Sequence, residues 1–294
     1  MRLTRRAAVM AAGAGLALPA LGRAAAAATR ANVETVVEIP GERTPENLAI
    51  DPRGAVYFGI TAGAVWRIDP EQTRRTGLTL DDLTRVATLP GTVIGVEVVP
   101  DGALYVASQS EQGTGVWRVP RDGGDPAPFA TTSGGGDVFF NDVLYDGGYD
   151  RLLVSESYGG VVYEVPLDDG DRPELSVWSD SDLFDTESFG ANGITRAADG
   201  AVYVAVTRAP GQTGRLLRVP LGADGAAGAP TTFFDGPELF GADGVTARDG
   251  DVYVAANSQN RVVRVTPDGS TTAVATADDG LVFPSDVLFG SGEL

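Results

Sequence analysis

One phrase returns along this chain at an almost constant spacing, and no other feature restricts the fold as tightly. It reads Asp51-Pro-Arg-Gly-Ala-Val-Tyr57-Phe, then Pro100-Asp-Gly-Ala-Leu-Tyr105-Val-Ala, Ala198-Asp-Gly-Ala-Val-Tyr203-Val-Ala and Arg248-Asp-Gly-Asp-Val-Tyr253-Val-Ala. A looser copy runs from Asp146 through Arg151-Leu-Leu153-Val-Ser. Positions 57, 105, 153, 203 and 253 are thus 48, 48, 50 and 50 residues apart. A repeat of this length is one supersecondary unit that buries its apolar faces only against its neighbours.

The content of the unit names its architecture. The Asp-Gly dipeptides are hairpin turns, because such turns need a positive φ that glycine adopts without cost. A second apolar phrase follows each copy: Val65-Trp-Arg-Ile, Val116-Trp-Arg-Val, Val161-Val-Tyr-Glu-Val, Leu216-Leu-Arg-Val and Val262-Val-Arg-Val. A third run is less regular, as in Arg85-Val-Ala-Thr-Leu and Thr271-Thr-Ala-Val-Ala. Val and Tyr favour strands, and no segment after the first 28 residues keeps a helical period. Four short strands per repeat describe a β-propeller blade. The expected fold is therefore all-β, a six-bladed β-propeller. Five copies are complete, and a sixth begins at Phe283-Pro-Ser-Asp-Val-Leu-Phe289 but lacks its middle strands before Leu294. Two readings follow: a sixth blade truncated at the C-terminus, which is favoured, or an irregular closure with Val33–Ile39 as an outer strand.

Composition restricts the chemistry. Among 294 residues there is no Cys, no His and no Lys; all 22 basic residues are Arg, against 40 acidic ones. Thiol and imidazole catalysis, Ser-His-Asp triads, Schiff bases and P-loop lysines are excluded. What remains is carboxylate, amide, hydroxyl, Arg or an oxygen-held metal. The net charge of −18 disfavours nucleic acid and anionic membranes as partners.

Aligning the repeats back from the Asp-Gly turn leaves one residue at the start of each innermost strand. These are Glu46, Ile94 or Gly95, Asn141, Asn192, Asp243 and Ser285. Two carboxylates and two amides around one axis suit a hard divalent cation, Ca²⁺ most simply, with Mn²⁺ or Mg²⁺ compatible. Zn²⁺ normally takes the His or Cys that are absent, which makes it the least suited of the possible ions. A water-filled channel without metal, with Asx residues capping turns, is the other reading of the same positions.

The same residues carry a resemblance. In Pro45-Glu46, Phe140-Asn141-Asp142, Asn192-Gly193-Ile194 and Asp243-Gly244-Val245, the chain resembles the regucalcin (senescence marker protein), gluconolactonase and luciferin-regenerating-enzyme-like family of six-bladed propellers, over roughly residues 40–290. The resemblance implies that Glu46, Asn192 and Asp243 hold the metal and that Asn141 contacts water or substrate. It also implies a sugar-lactone hydrolase, with Asp243 as base, Asn141 beside it in catalysis, and a small lactone or ester as substrate. Asp142 would lie near the substrate, or serve only in strand-turn bonding. The family often carries an Arg two residues before the third-blade Asn, where this chain has Phe139; a less polar lactone or ester follows if Phe139 meets substrate, and plain strand core if it does not. Asp185 and Glu187 are further mouth positions, more in keeping with solvated surface. A non-catalytic propeller binding a ligand or protein, with a structural cation, is the alternative.

Three smaller readings complete the picture. Residues 1–28, with Arg2, Arg5 and Arg6 before a weakly apolar run and an alanine tract at Ala24–Ala28, read as a cleaved twin-arginine-like export signal. Residues 29–294 then form a single propeller domain, extracellular or periplasmic, monomeric and without stable membrane insertion. Trp66 and Trp117 share a strand position in successive blades and read, with Trp178, as packing residues rather than ligand stackers. Glu97 sits in the apolar run Val96-Glu-Val-Val, facing either the channel or an outer surface.

Overall fold

Successive side chains of a strand point to opposite faces, and nearly every central strand here is apolar on both, so each sheet must be covered on two sides. The computed structural model describes residues 33–290 apart from 42, 122–123, 133–137, 169–171, 185 and 187. The proposed export signal, Asp185 and Glu187 lie outside the described residues. After β1 (Val37–Glu38), the first sheet holds β2 (Pro45–Ile50), β3 (Val56–Ile60), β4 (Ala64–Ile68) and, beyond the short β5 (Leu78–Thr79), β6 (Thr84–Thr88). The second holds β7 (Thr92–Val98), β8 (Leu104–Gln109), β9 (Thr114–Val119) and β10 (Ala127–Thr132). The third holds β11 (Phe140–Asp146), β12 (Arg151–Glu156), β13 (Val161–Pro166) and β14 (Ser176–Asp180). The fourth holds β15 (Ala191–Arg196), β16 (Val202–Ala209), β17 (Thr213–Val219) and β18 (Thr231–Gly236). The fifth holds β19 (Ala242–Arg248), β20 (Asp251–Ala256), β21 (Arg261–Val265) and β22 (Thr271–Ala275). Each is an antiparallel meander, and together they make the blades of a propeller.

Alternation assigns each blade's two faces to its two neighbours. In β16, Val202, Val204 and Val206 pack with Leu153 and Val162 of the third blade. Tyr203 and Ala205 pack instead with Val252, Val254 and Val263 of the fifth. Trp117 is buried in the core shared by the first two blades, and Trp178 is buried with its indole N–H donating to the Gly225 carbonyl. The packing reading of the tryptophans therefore holds for both.

Five four-stranded blades are present among the described residues, and the wedge between the fifth and the first is closed differently. Leu281 and Val287 cover the outer face of the fifth blade together with Val33. Val36, Val37 and Ile39 cover the facing side of the first blade, against Phe58, Ile60 and Ile68. The segment read as an outer strand of a sixth sheet instead makes a short parallel pair, Val37 with Leu78 and Glu38 with Thr79. The chain from 284 to 289 closes the ring on the inside: Gly244 donates its N–H to the Ser285 carbonyl at 2.8 Å, and Leu48 donates to the Asp286 carboxylate at 2.8 Å.

Candidate functional site

All five inner strands carry the same irregularity. Pro45 pairs with Ile60 but Leu48 with Phe58; Val93 with Ser108 but Val96 with Val106; Phe140 with Glu156 but Val143 with Val154. Ala191 and Ala242 show the same slip. Each inner strand thus holds one extra residue, a β-bulge, which re-aims side chains and is common beside functional sites. The first bulge position is occupied by Glu46, Ile94, Asn141, Asn192 and Asp243, the strand-start residues expected from the repeat. The bulge register also decides between Ile94 and Gly95 in favour of Ile94.

The second bulge position explains how the strands approach so closely. It holds Asn47, Gly95, Asp142, Gly193 and Gly244. A Cβ on Gly95 would stand 2.5 Å from the Asn141 carbonyl oxygen, and one on Gly193 would stand 2.3 Å from the Asp243 carbonyl oxygen. Only glycine permits that contact. Where the position carries a carboxylate, the carboxylate joins neighbours: Asp142 accepts N–H groups from Val143 at 2.9 Å and from Ile194 of the next blade at 3.0 Å. Asp286 does the same between Val287 and Leu48. Burial pushes the Asp142 carboxyl up to about 6 despite those two N–H donors, and burial pushes Asp286 up as well, with the Asp142 charge adding to it. Both Asp142 oxygens are engaged with backbone, which is the strand-turn bonding alternative to a substrate contact.

The first tier is held by a second set of residues that the repeat also spaces regularly. Asn141 donates its amide N–H to Ser157 Oγ at 3.0 Å, and Ser157 in turn donates to the Ala191 carbonyl at 2.6 Å. Asn192 donates to Thr207 Oγ1 at 2.9 Å. Asp243 accepts from the Asn257 amide at 2.8 Å. Ser285 donates to the carbonyls of Pro45 and Glu46, each at 3.2 Å, tying the last tier position to the first. Residues 157, 207 and 257 are 50 apart; that spacing was visible in the sequence, but Ser, Thr and Asn at strand ends carry no chemistry until their partners are known.

These anchors turn the amides. With Nδ2 of Asn192 committed to Thr207, its Oδ1 is left buried and without a hydrogen-bond partner in a side chain only 4% exposed. A buried acceptor left unmade is costly, and a hard cation or its water would meet that cost for an oxygen in a tier that also holds Asn141, Asp243 and Glu46. The donor set fits such an ion: two carboxylates, two amides, no soft ligand. Among the described residues no three His, Cys, Asp or Glu side chains gather to hold a metal, so a site here depends on the amide oxygens.

Two positions left open by the sequence are narrowed. Phe139 is absent from the strand cores; it is half-buried and packs with Tyr158 and Phe189, ring centroids 5.4 and 5.2 Å away. Glu97 faces inward, accepting N–H groups from Val98 at 2.8 Å and from Tyr145 of the third blade at 3.1 Å.

Comparison with known proteins agrees with the propeller fold. A model of the strictosidine synthase-like N-terminal family matches residues 31–68. No curated relative matches the sequence. Among solved structures, regucalcin from Agrobacterium tumefaciens, described as a calcium-binding protein, is 19% identical with a TM-score of 0.59, covering 81% of this chain and 78% of its own. A putative gluconolactonase is 19% identical with a TM-score of 0.61, covering 85% and 82%. Virginiamycin B lyase from Staphylococcus aureus is 16% identical with a TM-score of 0.57, covering 80% and 71%. At such identities the likeness is one of fold: this chain is an all-β propeller of the kind that regucalcin and gluconolactonase share.

Proposed function

We propose that the chain is a metal-dependent hydrolase that opens lactones or cleaves esters at the bulge tier of its channel. The observation that carries this reading is the Asn192 amide, whose N–H is fixed on Thr207 while its buried oxygen lacks a protein partner. Glu46, Asn192 and Asp243 would hold a divalent cation, Ca²⁺ in the simplest case. When bound, that ion supplies Lewis-acid polarisation of the carbonyl. Asp243, oriented by Asn257, would take the proton of the attacking water as general base and pass it to the leaving alkoxide oxygen as the acyl C–O bond breaks. Asn141, oriented by Ser157, positions that water or the ring oxygen of the substrate.

The virginiamycin lyase likeness supports a different chemistry less well. A variant of that lyase with a histidine replaced by alanine is described as catalytically inactive, and this chain has no histidine. A six-fold ring, with 284–289 as the inner strand of a sixth blade, is supported by the hydrogen bonds of Ser285 and Asp286 to both neighbours. Export through a twin-arginine signal and action as a secreted monomer complete the proposal and rest on the sequence alone.

Calorimetric titration with Ca²⁺ and Mn²⁺ tests the centre. Wild type should bind one ion, and Asp243→Asn and Glu46→Gln should lose it while keeping the fold by circular dichroism. Equal behaviour of the three proteins would remove the metal centre. Binding without turnover of any lactone would favour the alternative, a ligand-binding propeller with a structural cation.

A further inference from the structure

Three rings cluster beside the starts of the inner strands that carry Asn141 and Asn192. Phe139, Tyr158 and Phe189 form a triangle with centroid separations of 5.4, 5.2 and 5.3 Å and interplanar angles of 43°, 68° and 78°. None of the three belongs to the inter-blade cores, and Tyr158 is 46% exposed. Loose surface aromatics would not be held as these are. The buried Glu156 carboxylate accepts the backbone N–H groups of Phe139 at 2.6 Å, Tyr158 at 2.8 Å and Gly159 at 2.6 Å. Ser157 donates its N–H to the Phe139 carbonyl, and Gly190, next to Phe189, donates to the Ser157 carbonyl. The residue that fixes the Asn141 amide therefore also fixes the backbone of the triangle. A rigid aromatic platform, mounted on the same hydrogen bonds as the tier beneath it, recognises a planar apolar group through ring faces and edges.

We infer that Phe139, Tyr158 and Phe189 are specificity residues for an aromatic substituent, so that the preferred substrates are aryl-fused lactones or aryl esters rather than polyhydroxylated ones. The turnover part rests on the hydrolase reading above; the binding part does not.

Two measurements on the mature full chain keep these apart. Hydrolysis of dihydrocoumarin and of δ-valerolactone is compared in wild type, Phe139→Leu, Phe189→Leu and, as a control on an exposed outer strand, Val177→Ala. Because the two lactones differ in leaving group, the readout is the change in their kcat/KM ratio on substitution. Each Leu variant should lower the aryl-to-alkyl ratio by about 3- to 10-fold, the weight of one aromatic pair, and Val177→Ala should leave it unchanged. An unchanged ratio in both Leu variants overturns the inference. If wild type hydrolyses neither lactone, the hydrolase reading fails, and binding decides: calorimetry with phenylacetamide and cyclohexylacetamide should show a preference for the aryl amide that both Leu variants lose. Equal binding of the two amides, binding of neither, or a preference that both variants retain overturns the platform.

Discussion

Replacing Glu97 by Gln should change the pH dependence of stability in a way that an inward carboxyl with a raised pKa produces. Burial lifts the Glu97 carboxyl from its ordinary 4.5 to about 7; the N–H groups of Tyr145 and Val98 pull against that and the charge of Asp142 adds to it. The folded state therefore binds this proton more tightly than the unfolded chain. Glu97 adds its full stability below about pH 4.5, and that contribution is lost as pH rises to and past 7. At about 1.4 kcal/mol per pH unit, the loss amounts to about 2 to 3 kcal/mol, the lower figure allowing for water screening the carboxyl. Such water has room, because Glu97 lines a cavity of about 350 Å³ with Ile50, Thr246 and Phe289. Gln cannot titrate, and its NH₂ must face one of the two backbone N–H donors. The variant should therefore be less stable than wild type at pH 5 by about 1 to 3 kcal/mol, the cost of one unmade buried hydrogen bond. By pH 8.5 most of that gap should have closed, or its sign reversed. Urea unfolding of both proteins at the two pH values and one ionic strength measures this. The many surface carboxylates titrate alike in both proteins and cancel in the difference. A gap that stays constant or widens with pH would refute the assignment of Glu97 as a buried proton-holding group.

Two further outcomes follow from the proposed metal centre. Thr207→Val keeps the shape of the anchor but removes the acceptor of the Asn192 N–H; freed to rotate, the amide should weaken calcium affinity by about 10- to 100-fold, as loss of a ligand-orienting partner does, and the unmade buried hydrogen bond should lower the melting temperature by a few degrees. Gly193→Ala places a Cβ 2.3 Å from the Asp243 carbonyl oxygen and 2.7 Å from Gly244 Cα; overpacking of about 1 to 3 kcal/mol is expected in urea unfolding, and calcium binding should fall with it because Asp243 is displaced.

Much of this protein was legible before its coordinates because its repeat is local. An Asp-Gly turn and a Val-Tyr-Val strand need only their immediate neighbours in sequence, so the five blades and the alignment of Glu46, Asn141, Asn192 and Asp243 could be read from spacing alone. The absence of His, Cys and Lys likewise fixed which chemistry the channel can hold. What depends on one blade meeting another was out of reach. Whether Asp142 serves substrate or backbone is decided by the Ile194 N–H, 52 residues away. That Phe139 lies outside the strand cores is decided by Tyr158 and Phe189, which other segments bring to it. The orientation of Asn192 is set by Thr207, and the closure of the ring by Leu48 and Gly244 on Asp286 and Ser285. A strand period of two tells which side chains share a face, while the partner on that face is chosen only when the blades pack, as where Asp142 accepts the Ile194 N–H of the next blade and Asp286 that of Leu48.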